Sequence, residues 1–147
     1  MVHVSRSVTV SQPLPAVRDY LADFAHAVDW DPGTEECTRT DGDGALEEGA
    51  TWHNVSQFRG RRTELDYRLQ RLQDDRLTFV GSNRTATSTD DLTFESTPTG
   101  TRITYDATIE FHGLARLADP FLRREFERLG DEVVQSLPDA LNAALSR

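Results

Sequence analysis

The carboxylates of Glu64 and Asp66 stand two residues apart in the segment ELDYRLQ. If this segment is a strand, both lie on one face and are close enough to act as an acid–base pair. Arg68 and Gln70 continue the same face, however, and charges that alternate in sign along a strand are typical of a solvated surface. We therefore interpret this face as the outside of a sheet and assign no catalytic residue to it.

The histidines and the single cysteine do not form a recognisable metal or nucleophile motif. His3, His26, His53 and His112 lie far apart, without spacings such as H-x-H or H-E-x-x-H. Cys37 has no neighbour in sequence that would lower its thiol pKa, as a nucleophilic role requires. A Gly-rich phosphate loop and a G-x-S-x-G turn are absent as well. The sequence thus predicts no metal, no cofactor and no catalytic residue.

Two tyrosines on apolar strand faces are more informative. Tyr67 lies between Leu65 and Leu69 by period two, and Tyr105 follows Ile103 in the same way. A tyrosine in a closed core needs a partner for its hydroxyl, whereas one that faces a cavity can contact water or a ligand. Core packing and ligand contact both stay open for these two residues.

Polar residues also fall on apolar faces elsewhere. Asn54 shares one face of a predicted strand with Trp52 and Phe58. Arg6 interrupts a row of valines in the first strand, which places it near an opening or beside a carboxylate inside a cavity. Asp90 and its neighbour Asp91 are expected in a loop or at the start of a strand.

Length and charge restrict the class of protein. The 147 residues predict a single domain over 1–147. Sixteen basic against twenty-five acidic residues give a net charge of −9, which disfavours nucleic acid as a partner. No apolar run approaches the roughly 18 residues of a membrane span, and the start of the chain does not resemble a secretory signal. One cysteine suits a cytoplasmic protein.

Hydrophobic periodicity predicts a strand, short helices, a meander of strands and a long helix. Residues 2–10 alternate as a half-buried strand, and Ser11 is a predicted cap for a helix over 14–23, followed by a helical turn over 25–29. Residues 35–111 predict consecutive antiparallel strands with short turns. After a predicted cap at Asp119, apolar residues recur at helical spacing: Leu122, Phe126, Leu129, Val133, Leu137 and Leu141.

Three segments resemble the START/Bet v 1-like (SRPBCC) superfamily, in particular its polyketide cyclase/dehydrase and lipid-transport branch. They are VTVSQPLPAV at 8–17, YLADF at 20–24 with Trp30 and Pro32 after it, and GLARLADPFL at 113–122. The resemblance spans the whole chain and implies an α+β helix-grip fold. In that fold, a curved antiparallel sheet of six to seven strands wraps around a long C-terminal helix, with short helices after the first strand.

The resemblance also implies a cavity between sheet and helix. We therefore predict a protein that binds a small apolar, aromatic or lipid-like ligand and leave a homodimer open. An aromatase/cyclase-type enzyme acting on a polyketide-like substrate and a protein-interaction module of the chaperone-partner kind are the alternatives. The residues expected to contact the ligand are Trp52, Asn54, Tyr67, Phe79, Phe94, Tyr105, Phe126 and Leu129.

Overall fold

Seven antiparallel strands form one curved sheet in the order β1-β7-β6-β5-β4-β3-β2. The computed structural model describes residues 1–58 and 60–145. The number of strands confirms the sequence prediction. Their bounds are β1 Val2–Val10, β2 Thr34–Arg39, β3 Thr51–Phe58, β4 Arg61–Leu72, β5 Arg76–Ser82, β6 Ala86–Thr97 and β7 Gly100–Phe111.

The helices join the two edges of the sheet and cover its inner face. Helices α1 (Leu14–Ala22) and α2 (Ala27–Trp30), with a 3-10 turn between them, lead from β1 to β2 at opposite edges. Helix α3 (Asp119–Leu145) follows β7 after a second 3-10 turn and forms the long C-terminal helix of the predicted helix-grip fold. The predicted cap at Asp119 lies outside the described side chains.

The start of α1 corrects one sequence prediction. Pro13 and not Ser11 occupies the N-cap position, and no side chain caps the helix there. Pro15 lies in the first turn, and a proline has no backbone N–H that would need a partner. The first turn of α1 therefore has fewer backbone N–H groups that need a partner than an ordinary helix start has. The prediction of a serine cap was wrong because this turn has less need of one.

Helix α3 is held against β1 and α2. At Gly130 the helix passes so close to β1 that an added Cβ would lie 2.5 Å from Cγ1 of Val4. The hydroxyl of Ser136 donates a hydrogen bond of 2.6 Å to the backbone oxygen of Trp30 in α2. Nε of Arg6 binds Oδ1 of Asp131 at 2.9 Å. Arg6 does pair with a carboxylate, as one alternative expected, but the partner lies on the exposed side of α3.

The predicted outer face of the sheet is confirmed. Glu64 and Asp66 are more than half exposed, and the ring of His53 on β3 bridges them. Its Nδ1 lies 2.7 Å from Oδ1 of Asp66, and its Nε2 lies 2.9 Å from Oε1 of Glu64. Both hydrogen bonds raise the pKa of His53, and the bond to Asp66 has the larger effect. The group is a solvated surface cluster.

The apolar stripe of α3 divides into two parts. Val133, Leu137 and Leu141 are buried in the core, whereas Phe126 and Leu129 are half-buried. The C-terminal half of the helix therefore closes the core. The N-terminal half leaves its side chains partly free, because the sheet does not fill the space beneath them.

This division predicts unequal costs of truncation along α3. Leu137→Ala should lower the free energy of unfolding by about 2–5 kcal/mol, since Leu137 has no exposed surface. Phe126→Ala should lower it by only about 1–2 kcal/mol, because a half-buried ring loses less packing. Urea unfolding curves measure both, with Glu64→Ala on the outer face as a control that changes it by about 0.5 kcal/mol at most. Equal costs at positions 126 and 137 would contradict this description of the helix.

Candidate ligand-binding cavity

A cavity of about 240 Å³ lies between the inner face of the sheet and the N-terminal half of α3. Most of its wall is apolar. Side chains alternate along each strand, and the apolar ones point inward towards the apolar face of α3. Strands β1, β4 and β7 and helix α3 supply most of the apolar wall, which includes Val2, Val4, Leu65, Ile109, Leu129 and Val133.

Three aromatic rings stand at one end of the cavity. The rings of Phe58 and Phe126 stack with centroids 4.6 Å apart and an interplanar angle of 11°. The ring of Phe111 lies 6.3 Å from that of Phe126. Asn83 and Thr85 of the β5–β6 turn line the same end. Several strands terminate on this side of the cavity, so turns form its boundary here instead of packed strands.

A cluster of polar groups faces the cavity from the middle of the sheet. The hydroxyl of Tyr105 donates a hydrogen bond of 2.8 Å to Oδ1 of Asp90, which is only 5% exposed. The hydroxyl of Tyr67 interacts with the same carboxylate and with the hydroxyl of Ser88. All four residues line the cavity. A carboxylate flanked by two phenol groups therefore forms one polar part of its wall.

Burial sets the charge state of this cluster. It raises the pKa of Asp90 to about 7, helped by the negative charge of Asp31, although the hydrogen bonds from Tyr105 and Tyr67 act in the opposite direction. Desolvation also raises the pKa of both tyrosines well above the usual value. At neutral pH the phenols therefore stay protonated, while Asp90 exchanges between its acid and its carboxylate.

Asp31 is the second acidic residue in the cavity wall, and a turn holds it in place. Its Oδ2 accepts a hydrogen bond of 2.9 Å from the hydroxyl of Thr34, and its Oδ1 accepts one of 3.2 Å from the backbone N–H of Gly33. The sequence Asp-Pro-Gly favours such a turn, since aspartate can bond to the backbone two residues on. Burial nevertheless raises the pKa of Asp31.

A glycine makes room for the ring of Tyr67. Gly81 on β5 is the register partner of Tyr67 on β4. A Cβ at position 81 would lie 2.6 Å from the ring of Tyr67. Because no side chain stands there, the ring can lie flat over the neighbouring strand and extend its hydroxyl to Asp90.

Four of the eight predicted contact residues line the cavity: Tyr67, Tyr105, Phe126 and Leu129. The other four lie in the packed core beside it, so their contact with a ligand stays a prediction. Nε1 of Trp52 donates a 3.1 Å hydrogen bond to Asp23, and Nδ2 of Asn54 donates one of 3.1 Å to Thr34. Phe79 and Phe94 are buried in the hydrophobic core.

Sequence reasoning missed Asp90, and the structure corrects the expectation of a loop or the start of a strand. Asp90 lies within β6, which begins at Ala86. By period two it shares the inner face with Ser88, Leu92 and Phe94, all of them buried. A carboxylate in phase with buried residues was the signal that could have identified it. The neighbouring Asp91 points to the outer face of the sheet and forms an ion pair with Arg76.

A reactive cysteine, a metal site and a membrane-spanning helix are absent from the described part of the chain. Desolvation raises the pKa of Cys37 to about 12, so this buried residue is a thiol at neutral pH and a poor nucleophile. Among the side chains described within residues 1–58 and 60–145, no group of three histidine, cysteine or acidic residues could hold a metal ion. Within the same ranges, no helix is long and apolar enough to cross a bilayer.

Comparison with known families assigns the chain to a class. Residues 1–142 match the family described as "Polyketide cyclase / dehydrase and lipid transport". The protein belongs to this family, as its helix-grip architecture and the START/Bet v 1-like (SRPBCC) resemblance of its sequence predict. No curated protein matches the chain by sequence.

Solved structures show the same fold at low sequence identity. TTHA0849 from Thermus thermophilus is similar with a TM-score of 0.80 and 14% identity, over 97% of this chain and 99% of that one. The Zhui aromatase/cyclase from a Streptomyces species gives a TM-score of 0.73 and 12% identity, over 98% and 96%. The di-domain aromatase/cyclase StfQ of steffimycin biosynthesis gives 0.71 and 11%, over 99% of this chain and 52% of that one.

Proposed function

We propose that the protein binds a small apolar or aromatic molecule in the cavity beneath α3. The observation that supports this is a mainly apolar cavity whose wall carries a small number of polar groups, the arrangement that small-molecule sites share. Its volume of about 240 Å³ lies just below the usual range of about 300–1,000 Å³, which favours a ligand of one or two rings. Tyr67, Tyr105 and Asp90 would fix its polar end.

A cyclase-type enzyme is the second candidate, and one observation favours it. Asp90 has a pKa of about 7 and stands between two phenols in an apolar cavity. A group with a pKa near the working pH is the most effective general acid or base. If the protein cyclises a polyketide-like substrate, Asp90→Asn should abolish turnover and leave substrate binding measurable. Equal product formation by both forms would exclude this role for Asp90.

The interaction-module alternative has weaker support. Leu114 and Leu117, in the 3-10 turn before α3, are 87% and 72% exposed. Singly exposed leucines are ordinary on protein surfaces, however. A module that acts only through its surface has no need of a cavity beneath its helix, so the cavity favours a ligand-binding function.

A cavity-filling substitution tests the proposal. Ala107 lines the cavity on β7, and Ala107→Phe should occupy part of its volume. In a thermal-shift screen of apolar and aromatic compounds, ligands that raise the melting temperature of the wild type should not raise that of Ala107→Phe. A ligand at about 100 times its dissociation constant adds about 2.7 kcal/mol to the stability of the native state, which such a screen detects.

The matched control lies on the next residue of the same strand. Thr108→Phe adds the same ring to the other face of β7 and should leave the ligand response unchanged. Both variants should unfold cooperatively without ligand. If no compound in a broad apolar set stabilises the wild type, or if Ala107→Phe responds like the wild type, the cavity is not a binding site.

A further inference from the structure

The cavity wall is acidic, and its described residues include no cation. Asp31 and Asp90 both line it, whereas no arginine, lysine or histidine is among the described lining residues. Arg6 points inward from β1, but its guanidinium is bonded to Asp131 and to the backbone oxygen of Glu127 at 3.2 Å. The two carboxyls of the cavity therefore have hydrogen-bond partners without positive charge.

Each carboxyl in the wall is held by neutral donors. Asp90 receives its hydrogen bond from the phenol of Tyr105, and Asp31 receives its bonds from the hydroxyl of Thr34 and the N–H of Gly33. Neutral donors offset only part of the cost of removing a carboxylate from water. The negative charges also oppose each other, because the charge of Asp31 disfavours ionisation of Asp90. A cation placed in the cavity would relieve both costs.

We propose that the ligand carries a basic nitrogen, protonated in the cavity, which binds at Asp90 and Asp31 while its apolar body lies under α3. This inference rests on the ligand-binding function proposed above and names the class of ligand. An ammonium group would donate hydrogen bonds to the carboxylates. The rings of Tyr67 and Tyr105 beside them offer faces that attract a cation. Anionic ligands such as fatty acids would meet repulsion at the same place.

The affinity of the cavity for an ammonium ligand depends on pH. The titratable groups around Asp90 are Asp31, Tyr67 and Tyr105, and the pKa of each tyrosine is raised so far that both stay neutral. Asp90 has a pKa of about 7, so below pH 7 an ammonium ligand must displace a proton from its carboxyl. The affinity for an amine should therefore increase from pH 6 to pH 8, while the affinity for a neutral isostere should not.

Three probes with one ring system test the charge preference by titration calorimetry. They are naphthylethylamine, naphthylethanol and naphthylacetate, which carry a cation, a neutral hydroxyl and an anion. At pH 8 the amine should bind about tenfold or more tightly than the alcohol, as a charge-assisted hydrogen bond allows. The acetate should bind most weakly. An alcohol or acetate that binds as tightly as the amine overturns the inference and leaves the binding function intact.

Two variants locate the preference. Asp90→Asn and Asp31→Asn should each reduce the ratio of amine to alcohol affinity by about tenfold. The alcohol itself should still bind both. Glu64→Gln, which removes a carboxylate from the outer face, should keep the ratio of the wild type. An amine preference that survives in both cavity variants overturns the inference.

The ligand-binding function and the preference for an amine can fail independently. If one cavity variant fails to fold, the other variant and the wild-type ratios still decide the matter. If none of the three probes binds although the screen finds stabilisers that Ala107→Phe abolishes, only the amine inference fails. If the screen finds no such stabiliser, the proposed function fails as well.

Discussion

A chain that ends at residue 118 is expected to be unfolded. It lacks α3, which contributes Val133, Leu137 and Leu141 to the core and covers the inner face of the sheet. Burial of three such side chains contributes about 5–9 kcal/mol at about 1.5–3 kcal/mol each. The half-buried Phe126 and Leu129 add to this value. The total stability of a domain is typically about 5–15 kcal/mol, so the loss is comparable with the whole stability of the folded chain.

Circular dichroism with thermal melting measures this outcome. A matched control ends at residue 142, which retains Leu141 and removes only the last residues of α3 together with the half-buried Leu145. This control should fold and melt cooperatively at a slightly lower temperature. A cooperative transition in the chain that ends at 118 would show that the sheet is stable alone and that α3 is not its main cover.

Much of the fold is predictable because most strands have one buried face and one face that is more exposed to solvent. The alternation of apolar residues predicts a strand over residues 2–10, and β1 occupies this range. A strand with one buried face repeats its apolar residues with period two, and a surface helix repeats them with period 3.6. The long helix and the meander follow from these two periods alone.

The polar cluster was less accessible to sequence reasoning. Asp90 and Asp31 are 59 positions apart, and only the curvature of the sheet and the turn at Asp31 bring both to one cavity. Alternation tells which residues point inward, but not which part of the inner face is packed and which is open. Phe79 and Tyr105 both point inward, for example, yet Phe79 packs against Phe24 and Tyr105 lines the cavity.

Asp90→Asn is expected to stabilise the protein at pH 8. Folding raises the pKa of this buried carboxyl from 3.8 to about 7. One pKa unit corresponds to about 1.4 kcal/mol, so ionised Asp90 costs the folded state up to about 4 kcal/mol above pH 7. Asparagine has almost the same shape and its carbonyl can still accept the hydrogen bond from Tyr105, but it carries no charge. We expect a gain of about 2–4 kcal/mol in the free energy of unfolding.

The sign of the pH dependence distinguishes this cause from better packing. Because the folded state holds its proton more tightly, the contribution of Asp90 to stability is complete below about pH 4 and is lost as the pH rises to about 7. The advantage of Asp90→Asn should therefore be largest at pH 8 and decrease towards pH 4. Urea unfolding at pH 5, 6, 7 and 8 gives this curve. A difference that does not vary with pH would contradict ionisation as the cause.

Asp91→Asn is a control that should change the free energy of unfolding in the opposite direction. Burial alone would raise the pKa of Asp91, but hydrogen bonds from Arg76 and Thr78 hold it below the usual value. Asp91→Asn should therefore destabilise the protein at pH 8, where the carboxylate is ionised and paired with Arg76. If Asp90→Asn also destabilises the protein at pH 8, Asp90 is part of the structural framework of the sheet. If it stabilises, the fold retains a costly carboxylate in its cavity, as a functional site often does.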